Sequence, residues 1–202
     1  MEIIVDTLQS DDGTLQIADG TQLDFGSDGS LILPGSVVNF AYVEYDGRTG
    51  TSCPNNAFIT VPQMEIEIQR KVAGSSFHVV FMVNGECTSH DHGLTIHRRP
   101  AGGSWSLIGY NTDVGQQRWS GVNHGWYDRN NNSTPYNMSG VWYDSAPSNS
   151  TFPVGSTIGY TIGTRSSNNG NRTFWINRTD SRIGQNAYEN MVSTGYVMEI
   201  AP

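Results

Sequence analysis

The chain has 202 residues, 36% hydrophobic and 10% aromatic, with 15% charged and a formal net charge of −8. That apolar content is enough for a core, so general disorder is excluded. The basic clusters Arg70-Lys71 and Arg98-Arg99 form no stripe able to displace counterions from a phosphate backbone, so nucleic-acid binding is not expected.

Residues 1–34 differ from the rest. A short apolar run, Ile3-Ile4-Val5, is followed by Asp12-Gly13, Asp19-Gly20 and Asp28-Gly29. Asp-Gly is a turn signal, because glycine takes positive φ freely and aspartate tolerates it. The strand candidates between them carry too few apolar side chains to stand alone. This segment reads as an attachment stem, ordered by oligomerisation or by a partner. Met1–Asp6 lacks the basic start and apolar core of a secretory signal, so synthesis in a cytosol is expected. No apolar run approaches the ~20 residues of a helical membrane span, and membrane insertion is not expected.

Pro34-Gly35 marks the boundary to a second region, 35–202. Val37–Tyr45 is its first long strand. Residues 48–57 read as loop by composition. Met64–Arg70 alternates apolar and charged, as a half-buried strand does. Phe77–Val83 is the most apolar run and reads as a central strand. Leu94–Arg98 and Trp105–Tyr110 face each other across a hairpin loop at 101–104. Met138–Asp144, Ser156–Gly163 and Thr173–Asn177 are further strands. At the end of the chain, Tyr196, Met198 and Ile200 share one face, which reads as the buried one, with Val197 and Glu199 opposite. These elements total about eight to ten strands after residue 34, the count of a two-sheet sandwich or jelly roll. The expected fold is therefore all-β: a sandwich head over 35–202 with a short β-rich stem at 1–34. Cys53 and Cys87 make no disulfide framework, and idle buried thiols are the plainer reading.

Four stretches carry a family resemblance. Val5-Asp6-Thr7-Leu8, Leu33-Pro34-Gly35-Ser36-Val37-Val38, Phe174-Trp175-Ile176-Asn177-Arg178 and Val197-Met198-Glu199-Ile200-Ala201 resemble virion fibre and tail proteins of aquatic bacteriophages, notably those of cyanobacteria and marine bacteria. The resemblance covers both ends of the chain in the right order; residues 48–155 do not share it. It implies a virion structural protein, a homotrimer, whose N-terminal part (1–34) docks on other virion proteins and whose β-rich head faces outward.

Two candidate sites follow from the residues. Ser89-His90-Asp91-His92 holds a His-x-His pair. On a strand, His90 and His92 would lie about 7 Å apart on one face. Three copies around an axis could offer six nitrogens to one transition metal ion. Between Asn84-Gly85-Glu86 and Gly93, the same residues read more naturally as a polar turn, and no other cofactor is expected. The second candidate is an aromatic cluster: Trp119, His124, Trp126, Tyr127, Trp142 and Tyr143, with Asp128 and Arg129 beside it. Aromatic planes stack on sugar rings while Asp and Arg bind hydroxyls, so a host surface glycan is the expected ligand. Packing between loop and sandwich, or between subunits, is the alternative use of such rings. An enzyme is not expected: Gly-x-Ser-x-Gly, His-Glu-x-x-His and a phosphate-binding loop are all missing from the sequence. A purely architectural decoration or adaptor protein is the competing reading.

Overall fold

The computed structural model describes residues 32–55, 57–89, 91–110, 121–125, 135–145, 147–167, 170, 172–180 and 189–202. The stem reading of 1–34 therefore falls almost wholly outside the described residues, and residues 33–202 are described as a unit by themselves. Their strands are β1 (Val37–Tyr45), β2 (Thr49–Ser52), β3 (Ile59–Thr60), β4 (Ile66–Gln69), β5 (Ser76–Cys87), β6 (His92–Pro100), β7 (Ser106–Gly109), β8 (Asn123–His124), β9 (Tyr136–Asp144), β10 (Thr157–Ser166), β11 (Thr173–Ile176) and β12 (Ser193–Ile200). One 3-10 turn, Pro62–Met64, interrupts them. The all-β expectation holds, with two antiparallel sheets of six strands each.

The first sheet is built on β5, the apolar run of the sequence. β12 pairs with its first half and β11 with its last three residues, while β9 takes the other edge from Phe77 to Gly85. β1 pairs outside β12, and β2 outside β11. The second sheet is built on β10 and β6. β4 and β3 lie on one side of β10, and β7 and β8 on the far side of β6.

The core lies between the sheets. Phe77, Val79, Phe81, Val83, Met138, Phe174, Ile176 and Val197 come from the first sheet, and Ile66, Ile68, Leu94, Ile96, Ile158, Tyr160 and Ile162 from the second. The rings of Phe77 and Tyr160 approach to 5.8 Å across the gap. At one end the packing turns polar. Arg98 donates to both carboxylate oxygens of Asp144 at 2.7 Å, and the Tyr160 hydroxyl donates to the same group at 2.8 Å. Burial, then the adjacent Asp144 charge, holds the Tyr160 hydroxyl well above its ordinary pKa, so it stays a donor.

Two local expectations are corrected. Residues 48–57 are not all loop: Thr49–Ser52 is an edge strand on β11. Its Thr-Gly-Thr-Ser sequence shows no apolar alternation, because Trp175 lies against Gly50, where a Cβ would meet the indole at 2.6 Å. The terminal strand is interior, flanked by β1 and β5, but its faces are the reverse of the reading. Val197 and Glu199 point inward and are fully buried, while Tyr196, Met198 and Ile200 are half-covered on the outer side.

Glu199 can face inward because the turn after β4 supplies donors. The backbone N–H groups of Lys71 and Val72 reach its carboxylate at 2.8–2.9 Å. The Ser75 hydroxyl donates at 2.7 Å. Arg70, also fully buried, closes the same end by donating to the carbonyls of Val72, Pro147 and Phe152 at 2.7–3.0 Å. A buried charge is tolerated when its hydrogen bonds are complete, and here both are satisfied within a few residues of each other.

Candidate functional site

The two outer faces of the sandwich differ in chemistry. On the second sheet the outward row of β6 is Thr95, His97 and Arg99. The His97 ring packs against Gly163 and bonds Thr95 Oγ1 at 2.9 Å. Burial lowers its pKa to about 4. Arg99 pairs with Glu65 and lies 4.6 Å over the Trp105 ring. Arg165 lies 5.2 Å over Phe58. The outward row is polar and charged, as the alternation of antiparallel sheets prescribes, although Thr95 and His97 themselves are buried.

The first sheet breaks that rule. Its cross-strand registers align two outward rows over four strands: Tyr42, Tyr196, Val80 and Val141, then Phe40, Met198, His78 and Tyr143. Tyr42 is 72% exposed, Phe40 and Tyr143 55%, and Val141 53%. Phe40 stacks on both Tyr42 and Tyr196, with centroids 6.2 and 5.9 Å apart. Met82 adds another exposed apolar side chain. Neither row contains a lysine, arginine or carboxylate.

The candidate ligand residues are dispersed. Trp142 and Tyr143 are neighbours on β9 and so point to opposite faces: Trp142 packs on the core, and Tyr143 joins the exposed apolar face. His124 lies on β8, exposed, beside a cavity of about 210 Å³ lined by Gly121, Val122, Asn123 and His124. That segment is stitched to the sandwich by Val122 N–H to the Leu94 carbonyl, Gly125 N–H to the His92 carbonyl, and the Asn123 side chain to the Ser139 carbonyl, all at 2.8–2.9 Å. Trp119, Trp126, Tyr127, Asp128 and Arg129 lie outside the described residues.

Of the metal candidates, His90 also lies outside them. His92 is buried with both ring nitrogens engaged. Nδ1 lies 2.8 Å from the Ser89 carbonyl and must donate to it, which leaves Nε2 to accept from the Tyr136 hydroxyl. Burial raises the Tyr136 pKa and keeps that proton in place. A metal at His92 would have to break one of these bonds.

Three arrangements had no signal in the sequence. The Cys53 and Cys87 thiols meet in the core, where their contact and their burial push the Cys53 pKa up. Trp175 donates to Asp180 at 2.7 Å and is covered by Arg178 at 4.0 Å, so this ring is not open for stacking. The buried Glu199 was the third. Its only trace in the sequence is an isolated charge within an apolar run.

No protein-family model matches the chain, and no curated protein matches it.

Proposed function

We propose that the chain is a structural protein of a bacteriophage virion: a homotrimeric tail fibre or host-recognition appendage whose β-sandwich binds a surface glycan. One observation carries this reading. Three of the four stretches that resemble phage fibre proteins are far apart in sequence yet meet in one sheet, while Val5–Leu8 lies outside the described residues. Val37 of the junction pairs with Ile200 of the terminal strand. Gly35 N–H bonds the Ala201 carbonyl at 3.0 Å, and Ala201 N–H returns to the Ser36 carbonyl at 2.9 Å. The Phe174-Trp175-Ile176 strand lies in the same sheet. Motifs that pair with each other are kept together for a mechanical reason, so their joint occurrence supports common architecture over coincidence. Fold does not itself carry function, and the recognition role rests on the resemblance.

His124 and its cavity are the described candidates for ligand contact, and the other aromatic candidates of 119–129 adjoin it in sequence. The dispersal of Trp142 and Tyr143 favours a second reading, in which the chain is an architectural decoration or adaptor without a receptor. Particles assembled without this chain separate the two. Normal assembly with lost adsorption supports recognition, and failed assembly supports architecture.

A further inference from the structure

We infer that the outer face of the first sheet, the Tyr42 and Phe40 rows, is buried between copies of this chain; this rests on the reading that the chain forms a homotrimer. A four-stranded apolar face is unusual on an antiparallel sheet that meets water, since such sheets alternate apolar inside with polar outside. The second sheet of the same molecule follows that rule, so the exception is confined to one face. Contiguous exposed apolar surface of this extent marks an interaction site.

Charge and relief point to the occupant. The chain carries a net charge of −8, so copies repel over most of their surface. The two rows carry none of that charge; Glu44, the next outward residue on β1, is exposed at their edge, so copies meet on the rows with that carboxylate left at the rim. In relief, the β1–β12 half is tall, with Tyr42, Tyr196 and Phe40, while Val80 and Val141 keep the neighbouring part of the β5–β9 half low. Three such faces around one axis bring the tall half of each copy against the low half of the next. That contact is heterologous and closes as a ring. Four strands about 4.8 Å apart and the two rows, spanning about four residues at about 3.3 Å, give roughly 250 Å² in flat projection, to which the tall aromatic side chains add. Face-to-face sheets pack about 10 Å apart with interdigitated side chains, the spacing these aromatic residues fill.

The test is the mass of the full chain in solution by light scattering, with Tyr42→Glu, Val141→Glu and, as a control outside the face, Val154→Glu. All three sites are more than half exposed, so the monomer fold should survive, as circular dichroism will verify. The wild type and Val154→Glu should run at about three times 22.1 kDa. Tyr42→Glu and Val141→Glu should dissociate at concentrations at least ~10-fold higher, since two or more buried carboxylates would enter each ring. Hydroxyl-radical footprinting of the wild type gives an answer without variants: Tyr42, Tyr143 and Met82 should be protected at high concentration and labelled on dilution. A folded oligomer unmoved by both face variants, or unprotected at those residues, overturns the face and leaves the homotrimer standing. A wild type of monomer mass at tens of micromolar overturns both.

Discussion

Ser75 and Glu199 meet at 2.7 Å with neither residue exposed, joining the turn after β4 to the last strand of the chain. The carboxylate also holds the Lys71 and Val72 N–H groups, so three donors converge on one buried anion. Glu199→Ala leaves the Lys71 and Val72 N–H groups without an acceptor, while the Ser75 hydroxyl keeps the Val72 carbonyl at 2.8 Å. The expected loss is about 3 kcal/mol or more, since each unsatisfied buried donor costs about 1–3 kcal/mol. Urea unfolding measures it, and a loss within the error of the midpoint would mean that the turn finds other acceptors.

His97 gives the stability a pH dependence. Its folded pKa is about 4 against an ordinary 6.5, because burial disfavours the charged ring. The unfolded chain therefore takes up the proton first. The contribution is fully present above pH 6.5, falls as pH drops below it, and is lost by about pH 4. Its size is at most about 3 kcal/mol. His97→Gln should flatten the stability profile between those limits relative to the wild type, and identical slopes in the two proteins would remove His97 as the cause.

The paired thiols should be silent in the folded state. Cys53 and Cys87 are both buried, and the raised pKa of Cys53 leaves almost no thiolate there to react. An aromatic disulfide reagent should label neither in native buffer and both after denaturation under reducing pretreatment. Rapid labelling of the native protein would place at least one thiol at the surface.

Trp142 and Tyr143 should respond in opposite ways. Trp142→Ala removes a ring packed on the core and should cost about 3 kcal/mol. Tyr143→Ala removes an exposed ring and should change monomer stability by less than about 0.5 kcal/mol. Thermal and urea unfolding of the two variants checks the contrast. Equal losses would place both rings on one packed surface.

The strands legible in the sequence were those whose apolar run or alternation is long, such as β5, β9 and β10. β2 was not, because Thr-Gly-Thr-Ser is an edge strand shaped by Trp175, a residue far along the chain. The faces of β12 differ from their local pattern for a related reason. Local pattern favours burying Tyr196, Met198 and Ile200 over a row containing Glu199. The donors that make Glu199 the inner residue sit in the 71–75 turn and are invisible to local pattern. The apolar row is then turned outward, which alternation alone cannot distinguish from a core. The candidate ligand cluster was read from proximity in sequence. Adjacent residues on a strand point apart, so Trp142 and Tyr143 could not both line one site.

The central claim is that this chain belongs to a virion, and antibody labelling of purified particles under the electron microscope tests it most directly. The account predicts label on the tail or its fibres, with bound antibody fragments reducing adsorption to the host. Particles that carry no label, from infections in which the chain is abundantly made, would contradict it.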